Sequence, residues 1–149
     1  MAELVREIVI DASPETMWPF LVDPEKHVEW MGTIAEIDPR PGGVYRVLVG
    51  GENQSSGEFV EVVPNERVVF TFGWEQEGNP ITPGSSTVEI SLHPEGSKTR
   101  VQLTHRGIPQ DAVSDHTRGW DYYLGRLAVT SAGGDAGAET PPKSQEDWR

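Results

Sequence analysis

A chain of 149 residues fits one domain with one core, and at that size burial can sustain a fold without disulfides or metals. It contains no cysteine, which excludes disulfide scaffolds, thiolate zinc sites and cysteine nucleophiles and suits a reducing compartment. Twelve basic against twenty-four acidic side chains leave a net charge of −12, a field that repels nucleic-acid phosphates and argues against a nucleic-acid partner. No apolar run reaches the length of a signal peptide or a membrane span, so a cytoplasmic protein without membrane insertion is expected.

In chain order, residues 4–10 (LVREIVI) form the first strand candidate, with Arg6 interrupting the apolar set of Ile8 and Ile10. Ser13 followed by Pro14 and Glu15 is a helix start: a hydroxyl N-cap, a proline where no N–H is needed, and an acid at the positive helix end. Met17, Trp18, Phe20 and Leu21 give that helix a broad apolar face, Asp23-Pro24 ends it, and a second short helix over 24–30 delivers Trp30. From Ile34 onward strands alternate with turns. The expected strands are 34–38, 44–49, 58–63, 68–74, 87–93 and 99–106, with 94–97 as a hairpin turn and 75–85 as the longest loop. Short polar connections argue for an antiparallel meander rather than βαβ units.

Residues 110–131 return to helical period: Val113, Thr117, Trp120, Leu124, Leu127 and Ser131 trace one stripe, widened by Tyr123 and Ala128. Beyond residue 131, Gly, Pro and charge replace the pattern, and 132–149 is expected to be a disordered tail with Trp148 unplaced. The fold class is therefore α+β, a curved seven-stranded antiparallel sheet gripping a long C-terminal helix, with two short helices after the first strand.

This pattern raises a question of volume. Strand alternation puts Tyr45, Val47 and Val49 on one face, as it does Phe70, Phe72 and Trp74, then Ile90, then Val101, Leu103 and His105. One helix about 10–12 Å across cannot cover a sheet of seven strands about 4.8 Å apart. Either an apolar ligand occupies the remaining space, or the large aromatic side chains fill it. The side chains expected to line it are Trp30, Tyr45, Val47, Phe70, Phe72, Trp74, Ile90, Leu103, His105, Trp120, Tyr123, Leu124 and Leu127.

His105 is the candidate for proton chemistry, since alternation turns it inward; the competing reading is an imidazole satisfied by a neighbouring group. Trp120 and Tyr123 can present an indole N–H and a phenol O–H to a ligand, or serve as ordinary core. Arg46 should face outward, and Glu61 is expected at a solvated position. His27 and His116 are expected to be exposed on helices. The four histidines show no HxxxH or HxH spacing, so neither a metal site nor a cofactor is expected.

The stretches DASPETMWPFLVDPEKHVEW at 11–30, RPGGVYRV at 40–47, GEFVEVVPNERVVFTFGW at 57–74, STVEISLHPEGSKTRVQLTHRGIP at 86–109 and GWDYYLGRL at 119–127 occur in a telling order. The chain resembles the START-related, or SRPBCC, superfamily. Within it, the sequence is most similar to the family named after the C-terminal domain of the activator of the heat-shock-protein-90 ATPase. The resemblance implies a helix-grip domain over residues 1–131 with an internal cavity, and no invariant catalytic set. The namesake carries a separate N-terminal domain that contacts its ATPase client, and this chain has no room for one, so literal ATPase activation is not expected. The first functional expectation is binding of a small hydrophobic or amphipathic molecule, by a monomer or homodimer. The alternatives are a polyketide cyclase/aromatase-like enzyme using His105 and a tyrosine, or a co-chaperone-like protein-interaction module.

Overall fold

The computed structural model describes residues 1–141. Its elements are β1 (Ala2–Ile10), α1 (Pro14–Val22), α2 (Pro24–His27), β2 (Ile34–Ile37), β3 (Val44–Val49), β4 (Asn53–Val63), β5 (Arg67–Trp74), β6 (Ser86–Glu95) and β7 (Lys98–Ile108). A 3-10 turn at Gln110–Ala112 then leads into α3 (Val113–Ser131). The strands form one seven-stranded antiparallel sheet in the order β1-β7-β6-β5-β4-β3-β2. Every neighbour in it is consecutive in the chain except β1, which pairs with β7 from Ala2↔Ile108 to Ile10↔Thr99. The sheet, α3 and α1 enclose a single core, the helix-grip α+β arrangement.

Local chemistry explains the elements. The Ser13 hydroxyl oxygen accepts the Thr16 N–H at 3.2 Å, and Pro14 opens α1. Asp23 closes α1 and starts α2, its carboxylate accepting the Glu25 N–H at 3.0 Å. The second helix is shorter than the expected 24–30, ending at His27 and continuing as a turn that still brings Trp30 inward. Arg6 breaks the apolar alternation of β1 because it reaches α3, forming a two-pronged pair with Asp121 at 2.6 and 2.9 Å.

β4 begins earlier than expected, at the polar stretch Asn53-Gln54-Ser55-Ser56. Its buried Ser55 tolerates that position because its hydroxyl donates to the Val47 carbonyl at 3.0 Å. Farther along, a register shift between Phe59 and Glu61 absorbs Val60. The shift changes which residues face inward: Phe59 and Val62 meet the core, while Glu61 turns out to Arg67 at 2.8 Å. Arg46 also faces outward, paired with Glu75 at 2.8 Å.

Gly57 and Gly73 admit no side chain, since a Cβ on either would lie 1.8 Å from a backbone oxygen, of Thr71 and Thr82 respectively. The second contact holds the 75–85 loop against β5, where Trp74 N–H donates to the Ile81 carbonyl at 2.7 Å and Ile81 is buried in the core. The segment after α3 differs from its expectation. Although irregular, residues 132–141 lie along the domain, held by side-chain bonds described below. Trp148 falls outside the described residues.

Candidate functional site

Three buried histidines organise the space between helix and sheet. His105 on β7 lies beneath α3, and its Nδ1 accepts the Trp120 indole N–H at 3.1 Å. That bond places the imidazole proton on Nε2, which donates to the Ser86 hydroxyl at 2.9 Å; Ser86 in turn donates to the Phe72 carbonyl at 2.6 Å. His116 on α3 repeats the arrangement: Nδ1–H donates to the Ala112 carbonyl at 2.9 Å, and Nε2 accepts the Trp74 indole N–H at 3.2 Å. His27 completes the set, with Nδ1–H on the Met31 carbonyl and Nε2 accepting from the Tyr45 hydroxyl, both at 3.0 Å.

His27 and His116 are thus not on exposed helix faces as expected. They are 1% and 2% exposed, because each sits on the side of its helix turned toward the aromatic core. Burial lowers all three imidazoles: His27 to about 4, His105 to about 3 with the facing His116 ring adding to the effect, and His116 in the same direction. All three are neutral at pH 7.

The remaining expected lining residues divide into groups. Phe72, Trp74, Trp120 and Tyr123 surround one small void, together with Met31, Val49 and His116. Tyr45 and Phe70 stack at 4.0 Å, and Trp30 packs against His27 with its indole N–H on the Phe20 carbonyl at 2.7 Å. Val47, Ile90, Leu103, Leu124 and Leu127 are buried in the common core. The void measures about 10 Å³, near the least that holds one water. The curled sheet leaves little unfilled volume because the aromatic rings occupy it, the second of the two outcomes the sequence left open.

Residues 136–141 lie over the side of this interior formed by Met31, Val49 and Tyr123. Arg126, buried on α3, donates to the carbonyls of Trp30 and Glu29 on one side and of Ala136, Gly137 and Ala138 on the other. Thr140 N–H donates to the Tyr122 hydroxyl at 2.6 Å. Between these anchors the Glu139 carboxylate accepts three hydrogen bonds: from Gly32 N–H at 3.0 Å, Gly50 N–H at 2.7 Å and the Tyr123 hydroxyl at 2.9 Å. Burial, then the nearby carboxylate, pushes the Tyr123 phenol well above its ordinary range, so it serves as a proton-bearing donor. Surface clefts of about 340 and 430 Å³ open along this segment.

Phe72, Trp74, Trp120 and Tyr123 are among the residues expected to line the interior; Met31, His116 and Glu139 are not, and Val49 was placed on the inward face without being counted as lining. Val49 shares the alternating face of Tyr45 and Val47 and was open to detection. Glu139 lies in a stretch whose composition gives no sign of its partners. Among the described residues no group of His, Asp or Glu is placed to hold a metal, and no helix is long and apolar enough to cross a membrane.

Comparison with curated proteins gives no match. Among solved structures, an AHSA1-like protein from Rhizobium etli is 41% identical, covering 97% of this chain and 90% of its own, with a TM-score of 0.74. The Aha1 dimer of Colwellia psychrerythraea shares the fold at 18% identity, with coverage of 90% and 98% and a TM-score of 0.77. An HSP90 activator from Plasmodium falciparum does so at 20%, with coverage of 89% and 97% and a TM-score of 0.72. The family profile described as Activator of Hsp90 ATPase homolog 1-like protein matches residues 11–132. With that match spanning the helix pair, strands β2 to β7 and α3, the chain belongs to the AHSA1-like family of the SRPBCC superfamily.

Proposed function

We propose that this protein binds a hydrophobic or amphipathic small molecule between α3 and the concave face of the sheet. The observation that carries the reading is the void ringed by Met31, Val49, Phe72, Trp74, His116, Trp120 and Tyr123. It is apolar-walled, has polar groups at fixed points, and lies beneath an irregular segment bonded to its wall residue Tyr123. In the closed state a guest of more than one water does not fit, so binding requires the covering segment to move and the side chains to yield. Met31, unbranched and with three rotatable bonds, is the wall residue best suited to that.

Two features favour binding over the alternatives. Both ring nitrogens of His105 are engaged, by Trp120 and Ser86, which leaves no lone pair aimed at a substrate for cyclase-like proton transfer. A protein-interaction module needs a contiguous apolar surface. Among the described residues, the exposed large apolar side chains other than Met1, namely Val5, Val9, Ile34, Val60 and Val129, are spread over four elements.

The test is titration with the neutral fluorophore N-phenyl-1-naphthylamine. Saturable enhancement at one site per chain, with a rise in Tm that grows with ligand concentration, is the expected result. Enhancement that never saturates and leaves Tm unchanged would remove this reading.

A further inference from the structure

Glu139 occupies a site made by other parts of the chain. Its carboxylate meets two backbone N–H groups and one phenol, contributed by the turn before β2, the β3–β4 turn and α3. The two glycines suit this purpose. Gly32 has φ +90° and a Cβ there would lie 2.3 Å from Val47 Cγ1, so only glycine turns its N–H toward the Glu139 carboxylate. Gly50, at φ +64°, lies beneath Pro141 of the covering segment.

The position of these donors relative to the interior is the telling point. Gly32 directly follows the void-wall residue Met31, Gly50 directly follows the void-wall residue Val49, and Tyr123 is itself a wall residue. A carboxylate held by all three donors lies beside the Met31–Val49–Tyr123 wall of the apolar space, so its substituent reaches the interior once those side chains yield.

Resting on the ligand-binding reading above, we infer that Gly32 N–H, Gly50 N–H and the Tyr123 hydroxyl form a carboxylate-recognition site. Its ligand is a small organic acid with an apolar body, and Glu139 is the competitor carried by the chain itself. Three converging donors form charge-assisted bonds that an alcohol of the same shape cannot match. Release of the covering segment also takes the Ala136, Gly137 and Ala138 carbonyls from Arg126, which frees guanidinium N–H groups on the same side of the interior. The net charge of −12 does not forbid an anionic guest, because at physiological ionic strength it is screened beyond about 8 Å and the local donors decide.

Calorimetric titration of the full chain with decanoate and with 1-decanol tests the proposal, using the wild type, Glu139→Ala and Glu139→Ala/Tyr123→Phe. Glu139→Ala is expected to bind decanoate roughly tenfold or more tightly than the wild type and to prefer decanoate over decanol by a similar factor. Adding Tyr123→Phe should cut that preference about tenfold, because decanoate loses a charge-assisted bond that decanol does not make. Should the double variant fail to fold, amide NMR of Glu139→Ala serves instead: the Gly32 and Gly50 resonances should move with decanoate and stay with decanol. Equal affinity for acid and alcohol in Glu139→Ala would overturn the carboxylate site and leave the cavity reading standing. Decanoate affinity unaffected by Glu139→Ala would overturn the role of Glu139 as competitor. Binding of neither probe to any variant would overturn both readings.

Discussion

Protonating an imidazole that already accepts an indole N–H sets two donors face to face. His105 and His116 are in that position, with Trp120 and Trp74 as the fixed donors. His27 is less constrained, because the Tyr45 hydroxyl can rotate and accept instead. Burial is the main cause that lowers His105 to about 3 and His27 to about 4, and the facing His116 ring adds to it at His105. The consequence for stability has a definite sign. Above pH 6.5, the ordinary histidine value, folded and unfolded chains are both neutral at these sites. Below it the unfolded chain takes up protons that the folded chain refuses, so stability falls until the folded values near 4 and 3 are reached. At pH 5 His27 and His105 are each expected to remove roughly 2 kcal/mol relative to pH 7. Urea unfolding at the two pH values measures the gap, and His105→Gln should narrow it; an unchanged gap would locate the sensitivity elsewhere.

Among the elements, α3 bears the largest share of the interior and also a defect in its own helix. Gly125 lies on its half-buried side, and a Cβ there would meet nothing within 4 Å. Close approach of the sheet therefore does not account for this mid-helix glycine. Gly125→Ala is expected to stabilise the protein by about 0.5–1 kcal/mol through lower chain entropy alone. The check is a higher urea midpoint with an unchanged slope. The strands show where periodicity can be read and where it fails. Tyr45, Val47 and Val49, like Val101, Leu103 and His105, alternate cleanly and were placed correctly from spacing. β4 resisted because its first residues are polar and its bulge at Val60 changes phase, two features set by pairing with β3 and β5 rather than by its own composition. His27 and His116 were misplaced for a related reason: residue type suggested a surface, whereas one of the two bonds that make each tolerable inside comes from a residue 18 or 42 positions away, Tyr45 or Trp74.

For the molecule as a whole, the number of strands, their antiparallel order and the gripping helix were legible because each follows from local period and turn chemistry. The placement of residues 136–141 over the interior was not. Glu139 finds its backbone donors 107 and 89 residues upstream, and a stretch rich in glycine, proline and charge carries no local mark of such partners. The amount of empty space was equally hidden. Sheet width and helix diameter show that room exists, but only the rotamers of Phe72, Trp74 and Trp120 determine how much of it remains.

The pairing of the first strand with the last bears on how the chain is made. β1 leaves the ribosome early, yet its partner β7 is complete only at Ile108. At roughly 5–20 residues per second, the apolar side of β1 waits on the order of 5–20 s for its hydrogen-bonding neighbour. In refolding, the same long-range closure should place the rate in the millisecond-to-second range typical of non-local topologies. Stopped-flow measurements on Ile10→Val should then show faster unfolding with little change in refolding, the signature of a strand that docks after the barrier. A marked slowing of refolding would mean that the two ends of the sheet meet first.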